Sequence, residues 1–85
     1  MNKKCYALYV KAKKNPRGIK FSELKTLCGC IGLTCVRTKG SHFIFRLDVP
    51  FFLISIQKMK DNMAKPYQVK QLLNFIEENS LDIME

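Results

Sequence analysis

Acidic side chains are scarce across residues 1–76, where only Glu23, Asp48 and Asp61 stand against 15 lysines and arginines. Three scattered carboxylates are too few for a two-metal nuclease centre. Glycine occurs four times and never in a Walker-type run, so no phosphate-cradling loop of that kind is written in the chain. There is one histidine, His42, and Cys28, Cys30 and Cys35 are spaced C-x-C-x4-C. That pattern lacks both the close cysteine pairs and the second histidine of a structural zinc site, so neither metal nor cofactor is expected, and the cysteines are expected as core thiols in a reducing cell. No apolar run approaches the roughly 20 residues of a membrane span. The apolar start is interrupted by Lys11, Lys13 and Lys14 with no small-residue cleavage site, which favours a cytoplasmic protein over a secreted one.

What the chain does have is enough for one domain over residues 1–85, with an apolar fraction of 47%. Cys5, Leu8, Tyr9 and Ala12 mark the stripe of an amphipathic helix that Asn15-Pro16-Arg17-Gly18 stops, an N-terminal helix over 1–15. A second helix is expected from an N-cap at Ser22 through Leu24, Leu27, Cys28 and Ile31, ending at Gly32. The period then changes toward two: Leu33–Thr38, His42–Leu47 and Phe51–Gln57 read as strands, separated by Lys39-Gly40 and by Asp48-Val49-Pro50. Pro66 opens a last helix whose stripe is Val69, Leu72, Leu73 and Ile76, with Gln68, Lys70 and Gln71 expected outside and a short acidic tail from Glu77 onward. The expected class is α+β: a three-stranded antiparallel sheet with helices on one face, plus the extra N-terminal helix, the core running from 21 to 81.

The segment around which this is arranged is Arg37-Thr38-Lys39-Gly40-Ser41-His42-Phe43-Ile44-Phe45-Arg46. Strand alternation sends Phe43, Phe45 and Leu47 to one face and His42, Ile44 and Arg46 to the other, with Lys39 in the adjoining turn. Ser41 would then project away from His42, which argues against a Ser-His pair. A basic body favours nucleic acid through counterion release, although a solvated lysine surface gives the same composition. If there is chemistry, RNA suits it: the 2′-hydroxyl is an internal nucleophile that a single histidine can deprotonate without metal, while cations stabilise the charged transition state. Lys39, Arg46, Lys65 and Lys70 are candidate phosphate contacts or plain solvated charges. Tyr67 either stacks on a base or packs against its own sheet.

Gly40-Ser41-His42 followed by Phe43-Ile44-Phe45-Arg46, and then Lys65-Pro66-Tyr67-Gln68-Val69-Lys70-Gln71-Leu72-Leu73, resembles the HicA-type (YcfA-like) mRNA interferase toxins of type II toxin–antitoxin systems. The similarity runs from about Phe21 to Leu81. It implies a double-stranded-RNA-binding-domain-like fold, endoribonuclease activity on mRNA and a HicB-type antitoxin as partner. The family's catalytic histidine falls on His42 and its preceding glycine on Gly40. Asn62 and Met63 stand where the family pattern expects a glycine and a lysine. The alternatives are a non-catalytic RNA-binding module, or a diverged, inactive homologue acting through partner binding.

Overall fold

The computed structural model describes residues 3–79 and residue 81; Asn2, Asp82 and Glu85, which figure in the expected helix start and acidic tail, lie outside them. The order is α1 (Lys3–Lys14), a 3-10 turn (Pro16–Gly18), α2 (Phe21–Cys30), β1 (Thr34–Lys39), β2 (His42–Leu47), β3 (Phe52–Gln57) and α3 (Pro66–Glu78). The strands form one antiparallel sheet in the order β1-β2-β3. Phe45, Ile54 and Ile56 point into a core closed by Leu24, Leu27 and Cys28 of α2 and by Val69, Leu72, Leu73 and Ile76 of α3. Phe75 joins that helical stripe and stacks on Phe52 with ring centroids 4.0 Å apart. Burial of this apolar surface is what holds helices to sheet, at about 25 cal/mol per Å2. Among the described residues no helix is long and apolar enough to cross a membrane.

Several boundaries differ from expectation for local reasons. The N-cap of α2 is Lys20, not Ser22, because the Glu23 carboxylate accepts the Lys20 backbone N–H at 2.8 Å and closes the helix start two residues earlier. Ser22 lies inside the first turn, where its carbonyl accepts the Thr26 hydroxyl. Gly32, at φ +95°, stops α2 as expected, in a backbone conformation that side chains oppose. Leu33 is buried beneath the sheet rather than part of β1, and Phe51 belongs to the turn before β3. Glu77 and Glu78 are helical residues of α3, not tail.

The cysteines correct a larger expectation. Cys5 and Cys30 form a disulfide that ties the first turn of α1 to the end of α2, so only Cys28 and Cys35 remain thiols. The helical stripe that carries Cys5 is laid against the end of α2, bringing together two sulfurs 25 residues apart. Cys28 is the core thiol foreseen; burial pushes its pKa up to about 12 and makes it unreactive. Cys35 sits on the exposed strand β1.

Polar contacts complete the docking of α1. Lys11 pairs with Glu23 at 2.7 Å, Lys13 pairs with Glu77, and the Tyr9 hydroxyl donates to Glu77 at 2.9 Å. The bond from Lys11 holds the Glu23 carboxyl below its ordinary value, and the bonds from Lys13 and Tyr9 do the same for Glu77. A depressed carboxyl stabilises the fold above its unfolded value of about 4.5 and loses that contribution as pH falls through the folded value. The melting temperature is therefore expected to fall between about pH 6 and pH 3, with the fall shallower in Glu77→Gln. An identical slope in that variant would show that the contact contributes nothing.

Candidate nucleic-acid interface

The helices cover one face of the sheet and leave the other open. Cross-strand pairing places three rows on that open face: Lys39, His42 and Gln57; Arg37, Ile44 and Ser55; Thr34, Arg46 and Leu53. Residues directly opposite have Cβ atoms about 4.5–5.5 Å apart, and diagonal neighbours about 7–8 Å, so Lys39 and Gln57 flank His42 and Arg37 reaches it diagonally. His42, Lys39 and Arg37 are all exposed, and the imidazole makes no hydrogen bond or ion pair with any described residue.

Two backbone features build this row. The β1–β2 connection is the two-residue turn Gly40-Ser41 with Gly40 at φ +60°, a value at the first turn position that glycine adopts without strain. It is this φ, not crowding, that calls for glycine, since a Cβ there would meet nothing within 4 Å. The second feature is a break in register between Cys35 and Arg37, where Val36 is an extra residue in β1. Without that bulge the pairing from Cys35 and Phe45 would send Arg37 and Lys39 to the core parity. With it, Arg37 pairs with Ile44 and Lys39 with His42, and both cations face outward.

Gln57 connects this row to α3. Its side-chain amide donates to Ser41 Oγ at 2.8 Å, and its side-chain oxygen accepts Lys65 Nζ at 2.8 Å. Its backbone N–H, on the outer edge of β3, donates to Gln68 Oε1 at 3.0 Å. Gln68 is therefore buried, 5% exposed, and not on the outer face of α3 as expected: its amide occupies an edge donor that would otherwise be unpaired. Ser41 likewise does not project to the opposite face of a strand; it lies in the turn and is held by the residue across from His42.

The anticipated residues divide. His42, Gly40, Lys39 and Lys65 gather at one end of the sheet. Arg46 shares the open face but lies four residues along β2 from His42, about 13 Å at strand rise, and its guanidinium pairs with Asp48 at 3.0 Å. Tyr67 does not pack into the core; the residue is 63% exposed in the first turn of α3, and its hydroxyl is 3.4 Å from Gln68 Nε2. Lys70 is exposed one turn further along α3, three residues after Tyr67. Gln57 and Gln68 are the members that the sequence does not single out: Gln57 reads as the end of a strand and Gln68 as a solvent-facing amide. Arg37 stands in the basic segment around His42, and the bulge is what turns it outward.

Asn62 has φ +66°, in the left-handed region that glycine favours and asparagine tolerates. Its carbonyl accepts the Phe21 N–H at 2.9 Å, and Ala64 N–H donates to Ile19, so the loop after β3 is stitched to the start of α2 and sets the position of Lys65. Asn62→Ala is expected to lower stability by about 1 kcal/mol while Asn62→Gly holds or raises it. Equal losses in the two variants on denaturant unfolding would mean that the side chain, not the backbone conformation, is what matters.

Among the described residues no group of three His, Cys, Asp or Glu side chains comes together as a metal site would require. Comparison with known proteins returns nothing: no family model, curated sequence or solved structure matches this chain.

Proposed function

We propose that this protein is a metal-independent endoribonuclease that grips RNA on the open sheet face and uses His42 as general base or acid. The observation that carries the proposal is the row Lys39–His42–Gln57 with Lys65 bonded to Gln57: one exposed imidazole set among cations, with no carboxylate beside it. In that setting the ring accepts the proton of a ribose 2′-hydroxyl, whose oxygen attacks the adjoining phosphate. Lys39, Arg37 and Lys65 offset the charge that builds on the phosphate oxygens, the P–O5′ bond breaks to leave a 2′,3′-cyclic phosphate, and the departing 5′-oxygen takes a proton from water. DNA has no such hydroxyl and would be bound without being cut.

Within that class, the particular protein proposed is a HicA-type mRNA interferase toxin with a HicB-type antitoxin as partner. Support comes from the motif resemblance around Gly40-Ser41-His42 and Lys65–Leu73. The order α2-β1-β2-β3-α3 is also the one a double-stranded-RNA-binding-domain-like fold uses. Asn62, at φ +66°, stands where the family pattern has glycine, in a backbone conformation that glycine favours. Action on mRNA would place the protein in the cytoplasm. Disulfides are rare there, and α1 would then rely on Ala12 and its ion pairs when Cys5–Cys30 is reduced.

The second reading, an RNA-binding module without catalysis, is favoured by one observation: no described residue orients the His42 ring, as a positioned base usually requires. Incubation of the purified chain with mRNA in EDTA separates the two. Cleavage by the wild type and none by His42→Ala supports the nuclease, whereas intact RNA at full binding supports the module.

A further inference from the structure

Behind the end of the sheet that carries His42, on its helix side, lies a hollow of about 280 Å3 lined by Lys20, Phe21, Ser22, Lys25, Lys58 and Asn62. Three of its six lining residues are lysines and none is acidic. None of the three ammonium groups is paired with a described carboxylate. Lys25 Nζ instead lies over two aromatic rings, 5.3 Å from the centroid of Phe21 and 4.9 Å from that of Phe43. The acids nearest in sequence are occupied elsewhere: Glu23 by Lys11 and the Lys20 N–H, Asp61 by the Met63 N–H at 3.2 Å. Like charges held around a shared concavity repel one another, and an anion seated among them relieves that repulsion.

We propose that this hollow is a phosphate subsite, binding a backbone phosphate of the same RNA strand that reaches His42. The proposal rests on the RNA-cleaving reading given above and adds a second point of grip to it. Ammonium groups of Lys20, Lys25 and Lys58 supply the charge, and the Ser22 hydroxyl and Asn62 amide supply directional hydrogen bonds. The hollow also adjoins the cleavage row. Lys58 directly follows Gln57, the cross-strand partner of His42, and Phe21 meets the ring of Phe43, the residue after His42, at 5.4 Å. A strand held here turns over the end of the sheet toward the imidazole.

Two measurements test the proposal. In the first, inorganic pyrophosphate is titrated into the labelled wild-type chain; saturating amide shifts at Ser22, Lys25, Lys58 and Asn62 are expected, and to be lost in Lys20→Gln/Lys58→Gln. Absence of saturation at those residues would overturn the subsite. In the second, affinity for a single-stranded RNA is compared between that variant and Lys3→Gln/Lys14→Gln, which removes the same charge from α1. The hollow variant is expected to bind about tenfold more weakly, with a salt dependence shallower by about 1.4 in log–log slope, and the α1 variant to stay near wild type. Equal losses in the two variants would reduce the effect to net charge and overturn the proposal. Pyrophosphate saturation with unchanged RNA affinity would mean a free-anion site and overturn the RNA source. If the wild type itself does not bind RNA, the nuclease reading falls and the strand subsite with it; RNA affinity that is unchanged in the hollow variant removes the subsite alone and leaves that reading standing.

Discussion

His42→Ala is expected to bind RNA as tightly as the wild type and to cleave it about 10²–10⁴-fold more slowly, the range that a single positioned acid or base contributes. Binding survives because the grip comes from Lys39, Arg37 and Lys65, none of which depends on the imidazole for a hydrogen bond or ion pair. Folding survives because the ring is exposed and packs into no part of the core, and such surface changes cost less than about 0.5 kcal/mol. Anisotropy binding alongside a single-turnover cleavage assay reads both quantities on one preparation. Cleavage at wild-type rate would remove His42 from the chemistry, and a loss of binding in step with cleavage would make it a contact residue instead.

Removing the disulfide is expected to have the largest effect on stability. A bridge between positions 25 apart restricts the unfolded chain by about 3.5 kcal/mol in the loop-entropy account. In a domain of this size that corresponds to a melting temperature lower by about 15–30 °C for Cys5→Ala/Cys30→Ala. The same shift is expected on reducing the wild type. Cleavage at low temperature should be unchanged, since α1 docks on α2 and α3 and contributes no residue to the open sheet face. A shift under about 2 °C would show that burial of Ala12 and the pairs to Glu23 and Glu77 already fix α1. Loss of cleavage in the folded variant would couple α1 to the interface.

The parts legible in sequence are those set by repeating apolar spacing. The stripes through Leu24, Leu27 and Cys28 and through Val69, Leu72, Leu73 and Ile76 are buried where the period put them, and Phe45, Ile54 and Ile56 face inward as alternation requires. Gly32 and Gly40 mark a helix stop and a turn because both positions have positive φ. Features that depend on tertiary accommodation were not legible. A one-residue bulge at Val36 leaves no compositional trace, yet it decides which way Arg37 and Lys39 face. Gln68 is buried because an edge N–H of β3 needs an acceptor, a demand that exists only once α3 is packed on the sheet. Cys5 and Cys30 lie on separate helices, so their pairing follows from how α1 packs, not from their spacing.

The most direct test of the central claim is the chemistry of the cut ends. RNA cleaved by the wild-type chain in EDTA should carry 2′,3′-cyclic phosphate on one fragment and a free 5′-hydroxyl on the other, because attack by the 2′-oxygen leaves those termini. Ends bearing 5′-phosphate and 3′-hydroxyl, or no cleavage without added metal, would contradict a lone histidine acting on the ribose.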